Sequence, residues 1–394
     1  MAPVYDLDAV RRALPITSNW TYLNTGTVGV MAEPVLEAHL DNLADHERGG
    51  HATQARAVAG YERARRAVAQ LVGVAPEEIA LNRNATDGVN FVSAGFPLRA
   101  GDEVLTSTEE HPAVVLPWLV ACQRAGAQLR FVPFSVEHDE FALQLRAALS
   151  SRTRAVIFSH VSCETGARAP VHLIREIVGP DIAVMIDAAQ SVGQFAVDFP
   201  GLGANYVIGN GHKWLAGPKG TGFAWFAPGA PQLAPPPYVG DGAVEPAWTR
   251  ALYQAEPSPQ IAFARSATRF EFGTRAWHMY GALEDAIDYQ ARLGWSAIFD
   301  HAQTMSGRVK EQLAEIPGVT VVTPPAWEQS SGLVTFTVEG MLGTDVSKRL
   351  WDKHRIVQRR VEQPSAVRVS CAYFTSYADL DHLAEAVAHI ARGA

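Results

Sequence analysis

Lys213 stands in the run GNGHKWLAGPKGTG, directly after the apolar stretch that ends at Asn210, and Asp187 closes the apolar run AVMID. Strands of a parallel sheet deliver polar residues at their carboxyl ends, where the ligand crevice of such sheets lies. Two strand ends therefore bring a carboxylate and a primary amine to one crevice. These are the partners of a cofactor with a basic ring nitrogen and an aldehyde, and pyridoxal 5'-phosphate (PLP) is such a cofactor. PLP needs a lysine for the imine, an acid for the pyridine nitrogen, donors for the phosphate and a flat group over the ring. Asn84-Ala85-Thr86-Asp87 precedes a helical stretch whose first amides and the Thr86 hydroxyl suit a phosphate. Competing readings exist for single residues. Asp187 can be a strand-end helix cap, the run at 84–87 a plain cap, His111 an ordinary loop histidine and Arg368 an exposed edge residue. Lys213 lies between His212 and Trp214, where a solvated lysine has no evident purpose.

The elements that must position these residues follow from periodicity. Pro34 to Arg48 has apolar residues at helical spacing with Gly49-Gly50 as a stop, and YERARRAVAQLVG is a second helix ending at Gly73. Short apolar runs then alternate with amphipathic ones through EVLTS, LRFVPF, a helix near Leu143, AVIFSHV, AVMIDAA, YVIGNG and GFAWFA, which predicts a mostly parallel sheet flanked by helices. From Ala227 to about Pro259 the chain is rich in Pro, Gly and Ala. Trp248, Leu252 and Tyr253 interrupt that stretch, so it is expected to be a long ordered loop. Beyond Trp277 the pattern predicts one long helical stretch to about Ile316, then LVTFTV as a strand, a helix from Asp345 to His354, strands RIVQRRV and AVRVS, and a closing helix. The expected division is a large cofactor-binding domain, 20–275, and a smaller α/β domain made of 1–19 and 276–394.

Together, NAT at 84–86, EHPAVVLPW from Glu110, HVSCETGA from His160, DAAQSVG from Asp187, GNGHKWLAGPKGTG from Gly209, FEFGT from Phe270 and VRVS from Val367 resemble one family. It is the class V aminotransferase family of fold-type I PLP-dependent enzymes, which includes cysteine desulfurases and isopenicillin N epimerases. The resemblance implies a seven-stranded, mostly parallel sheet in the large domain. It makes Lys213 the Schiff-base lysine, Asp187 the partner of the pyridinium nitrogen and His111 the ring-stacking group. Ala85, Thr86, Asn210 and His212 are implied for the phosphate and Gln190 for the phenolic oxygen. Thr274 would reach the phosphate of a neighbouring subunit, which implies a homodimer. Arg368 matches the arginine that takes the substrate carboxylate, suited by its bidentate fork. Asn24 is a further candidate for the substrate side, and with Trp20, Tyr22 and the Pro-rich loop it suggests a broad pocket.

Departures from the pattern shape the expected reaction. Where desulfurases carry a loop cysteine, this chain reads QRRVEQPSAVRVS, so persulfide-forming desulfuration is not expected. Cys163 replaces the asparagine of many relatives, and Asn210 resembles the epimerase branch. The reading favoured is a carbon–sulfur lyase acting by beta-elimination on a cysteine S-conjugate, in specialised metabolism, with Lys213 as the base. Epimerisation is the alternative, followed by transamination or decarboxylation-linked deamination. A metal centre at His111, His160 and Asp187 lacks any HExxH-like spacing, so none is expected. A regulatory protein would need an appended DNA-binding segment and a more basic chain. With 33 basic against 41 acidic residues and a charge of -8, nucleic acid is an unexpected partner. Three scattered cysteines and the lack of an 18-residue apolar run point to a cytoplasmic protein, neither disulfide-stapled nor membrane-spanning.

Overall fold

The computed structural model describes residues 6–251 and 260–393. After β1 (Thr21–Tyr22), short runs with apolar centres form the main sheet: β2 (Ile79–Asn82), β3 (Glu103–Ser107), β4 (Gln128–Val132), β5 (Thr153–Ser159), β6 (Ala183–Asp187), β7 (Tyr206–Asn210) and β8 (Gly222–Phe226). These seven strands lie in the order β2-β8-β7-β6-β5-β3-β4. The pairs from β4 to β7 are parallel, whereas β8 is antiparallel to both β7 and β2. This is the α/β fold with a mostly parallel seven-stranded sheet that the motifs imply.

Helices cover both faces, so strands such as AVMID are buried at every position. Val184 and Ile186 point into a core with Tyr61, Val68 and Leu283, while Ala183 and Met185 join Val89, Phe91 and Trp118 on the other side. Helix Gln54–Val72 stops at Gly73, whose φ of 75° is the left-handed cap that glycine supplies without strain.

A second, antiparallel sheet is made of β9 (Val319–Val321), β10 (Leu333–Val338), β12 (Arg359–Val361) and β13 (Ala366–Ser370), in the order β12-β13-β10-β9. The intervening β11 (Ile356–Val357) pairs in parallel with β1. Helix Leu7–Arg12 is tied to the closing helix Tyr377–Ala391 by Arg11 Nη1, 2.5 Å from Asp379 Oδ2. The division into 20–275 and 1–19 with 276–394 is our proposal. Helix Trp277–Leu293 lies along helix Gln54–Val72, so it bridges the two units.

Three sequence expectations need adjustment. The single helix from Trp277 to Ile316 is two, Trp277–Leu293 and Trp295–Ala314, because Gly294 takes φ 94° and ψ 115° between them. RIVQRRV is likewise two short strands, with the Gln358 side chain between them turned to the carbonyl and hydroxyl of Ser347. In the Pro-rich stretch the described residues form short turns at Ala230–Gln232 and Asp241–Ala243, Trp248 is exposed rather than packed inward, and Leu252 and Tyr253 lie outside the described residues. Among the described residues no helix is long and apolar enough to cross a membrane.

Candidate active site

The carboxyl ends of β5, β6 and β7 carry Ser159, Asp187 and Asn210, and all three open on a cavity of about 310 Å³. The turn after β7 adds His212 and Lys213, and the loop after β3 adds His111 at the start of helix Pro112–Ala125. Ala85, Thr86 and Gln190 complete the set. The chain near Gly29 presses on the lysine turn, where a Cβ on Gly29 would lie 2.0 Å from the Lys213 carbonyl oxygen. Eight of the expected residues therefore share one cavity, although they are spread from 85 to 213.

Electrostatics distinguish this cavity from a packing defect. Burial pulls the Lys213 amine down to about 8, against the opposing charge of Asp187. Burial also raises Asp187, an effect offset by the Lys213 charge and by the Ala189 N–H, which donates to Oδ1 at 2.8 Å. His111 is held down to about 4 by burial and by the charges of Lys213, Arg359 and Arg368. It is neutral near pH 7, and because Nδ1 accepts from Ala113 N–H at 3.0 Å, the ring proton sits on Nε2.

Arg368 is fully buried in β13, a strand packed into the core rather than an exposed edge. Its Nη1 donates to the Cys163 carbonyl and its Nη2 to Thr27 Oγ1 at 3.0 Å, while Nε has no partner. No carboxylate pairs with it among the described residues. A buried cation with no carboxylate in contact is costly, and burial, with the neighbouring Arg359 charge, lowers its basicity, opposed by Cys163 and by the more distant Glu164. An anionic ligand would relieve that cost. Arg359 lies opposite Arg368 in the β12–β13 register and lines the cavity, but the sequence reading passed over it. Its signal was only a cation in QRRV just before the loop.

Several expected residues have other ties. The Ala85 N–H donates to Asn210 Oδ1 at 2.8 Å, so these two satisfy each other and Thr86 is left facing the cavity. Gln190 Nε2 donates to the Gly26 carbonyl at 2.8 Å and its Oε1 accepts from Trp214 Nε1 at 3.0 Å, leaving one N–H. His212 Nδ1 lies 3.3 Å from the Thr221 carbonyl. Asn24 does not line the cavity, and its buried Oδ1 has no partner. Thr274 is exposed and also lies off the cavity. Among the described residues, Trp20 and Tyr22, expected with Asn24 and the Pro-rich loop to shape a broad pocket, do not line this cavity. Trp20 packs on Trp351 at 4.9 Å in a separate surface cleft, and Tyr22 donates its hydroxyl to the Val28 carbonyl at 2.7 Å. Thr27, Ser159 and Glu110 were not anticipated, and only Glu110 had a signal, its place before His111.

The donor set fits PLP: an amine of lowered basicity and a buried carboxylate in one cavity, a neutral imidazole, and an outward-facing threonine at a helix start. Among the described residues no cluster of His, Cys, Asp and Glu is arranged to hold a metal.

Comparison with known proteins agrees. The chain is similar to a probable cysteine desulfurase 2 of Mycobacterium leprae, 29% identical with 97% of this chain and 96% of that protein covered. It is 31% identical to isopenicillin N epimerase of Streptomyces clavuligerus, over 82% of this chain and 83% of that protein. A C-DES mutant with glycine covalently linked to the PLP cofactor superposes with a TM-score of 0.88 at 27% identity, covering 96% of this chain and 98% of that one. The cystine C-S lyase C-DES, in complex with its product cysteine persulfide, gives 0.87 at 28% identity, covering 95% and 98%. These findings overturn the exclusion of cysteine desulfurase and the preference for S-conjugate elimination built on it. One missing loop cysteine does not outweigh likeness to desulfurases along the entire chain. The aminotransferase class-V family matches residues 28–383, and the chain belongs to that family of PLP-dependent enzymes.

Proposed function

We propose that this enzyme cleaves the bond between Cβ and sulfur in cysteine or cystine. The observation that carries the reading is Arg368, a buried cation with no carboxylate in direct contact among the described residues, beside a cavity that holds both Lys213 and Asp187, in a chain similar to a probable cysteine desulfurase and to a cystine C-S lyase. When bound, PLP withdraws electrons from the substrate Cα and so loosens its bonds. The residues divide the remaining work. Lys213 would hold the cofactor aldehyde and, once released, take the Cα proton on Nζ, for which its lowered basicity suits it. Asp187 would face the ring nitrogen and His111 the ring. Thr86, His212 and the paired Ala85 and Asn210 would surround the phosphate, with the last N–H of Gln190 toward the phenolic oxygen. Arg368 would fork onto the substrate carboxylate, with Arg359 beside it and Asn24 on the same side.

The proposal includes a homodimer in which Thr274 enters the partner's site. Leu116, Val120 and Tyr238 support it, because they are all exposed along one groove beside Thr86. A cytoplasmic setting is part of the same reading, supported by three free cysteines. The test is product analysis on L-cysteine and L-cystine with a Lys213→Ala control. Alanine formed with the sulfur passed to an added small thiol as its persulfide indicates desulfuration, whereas pyruvate and ammonia with sulfide from cysteine, or with cysteine persulfide from cystine, indicate elimination. Racemised substrate with neither product would favour an epimerase and overturn the proposal.

A further inference from the structure

The chain leaves β3 toward β4 on one side of the sheet and leaves β5 toward β6 on the other, so the ends of β3 and β5 border the switch point where such sheets open a crevice. One side chain spans that opening. Glu110 Oε1 accepts from Ser107 Oγ at 2.6 Å and from Ser159 N–H at 2.8 Å, and Oε2 accepts from Ser159 Oγ at 2.5 Å. Ser107 is the last residue of β3 and Ser159 the last of β5, and Ser159 lies opposite Asp187 in the β5–β6 register. His111 follows Glu110 in the chain.

We propose that Glu110 is a positioning residue: it locks the ends of β3 and β5 together, holding His111 and Asp187 in register across the cavity, and its proton sets the field felt by Asp187. This rests on the cofactor reading above. Three donors converge on one carboxyl with no cation beside it among the described residues, an arrangement that a simple surface acid does not need. Burial lifts the group to about 7, with the hydrogen bonds from Ser107 and Ser159 opposing and Asp187 adding to the rise. Asp187 is the charged group facing it from β6. His111 beside it in the chain is neutral, and Glu109 is engaged by Thr165 Oγ1 at 2.7 Å. Loss of the Glu110 proton places a second negative charge near Asp187 and weakens the preference of Asp187 for its own ionised form.

The test follows the visible absorption band of the PLP-loaded protein, and its PLP affinity, between about pH 6 and 8, around the value of about 7. The wild type should show a pH-dependent band with a midpoint near 7. Ser107→Ala removes a donor to the ionised form and should move that midpoint upward. Glu110→Gln should abolish the transition and weaken PLP binding by roughly tenfold, because its amide N–H groups face the Ser159 donor. A midpoint and affinity unchanged in Glu110→Gln would overturn the inference. Should that variant fail to fold, an unmoved midpoint in Ser107→Ala overturns it instead. Absence of any band in the wild type sinks the cofactor reading as well, whereas a band without pH response overturns this inference alone.

Discussion

Replacing Arg368 with methionine should remove most turnover while leaving the fold standing. Arg368 donates to one backbone carbonyl and one threonine hydroxyl, has an orphaned Nε and has no acidic partner. Hydrogen bonds from a charged group contribute roughly 1.5–3 kcal/mol each. Keeping an uncompensated guanidinium out of water costs several kcal/mol, so the two effects nearly cancel. Methionine fills the space of the stem without the charge, and the unfolding free energy should change by less than about 2 kcal/mol despite complete burial. The substrate suffers far more. Two charge-assisted bonds to its carboxylate are lost, about 3–6 kcal/mol in all, which lowers kcat/KM by roughly 10²- to 10⁴-fold. Urea denaturation would measure the first effect, and initial rates of alanine or pyruvate formation from cysteine and cystine the second. The reasoning is refuted by a variant that keeps kcat/KM within about threefold, or one whose stability collapses while turnover per folded molecule is unchanged.

Other outcomes follow from the same geometry. Arg359→Gln should raise KM while kcat changes less, because Arg359 lines the cavity without the complete enclosure of Arg368; steady-state kinetics on cystine checks this. Burial raises all three thiols, Cys122 to about 11 and Cys371 to about 12 with Cys163 shifted in the same direction, so a thiol reagent near neutral pH should find almost none reactive in the native protein and all three in denaturant. The folded His111 resists protonation down to about 4, whereas the unfolded chain takes that proton near 6.5. The unfolded state therefore binds more protons between these values, and the His111 contribution to stability falls as pH drops through that window. Urea midpoints of His111→Asn should fall less steeply there than those of the wild type.

Local pattern and residue chemistry were enough to read the sheet, its strand ends and the residues that gather there. The centre of a strand buried on both faces is apolar, and a polar residue closing its carboxyl end marks the crevice; Asp187 and Asn210 were legible for that reason. Caps and glycines marked the helix ends, as at Gly73. Register and burial were not legible, because they depend on what the rest of the chain places opposite a residue. Arg368 and Arg359 are both cations in short strands, but only the tertiary pairing of β12 with β13 buries one and leaves the other at the cavity. Asn210 and Ala85 are 125 residues apart, so no local rule shows that they satisfy each other. Trp20 was drawn to the pocket by composition, but the fold stacks it on Trp351 instead. Residue types and their local order were enough to tell which chemical groups are available and on which kind of element they sit. Tertiary structure decided which of them lose water, which find partners and which are left unpaired, because desolvation and hydrogen bonding depend on neighbours distant in the chain.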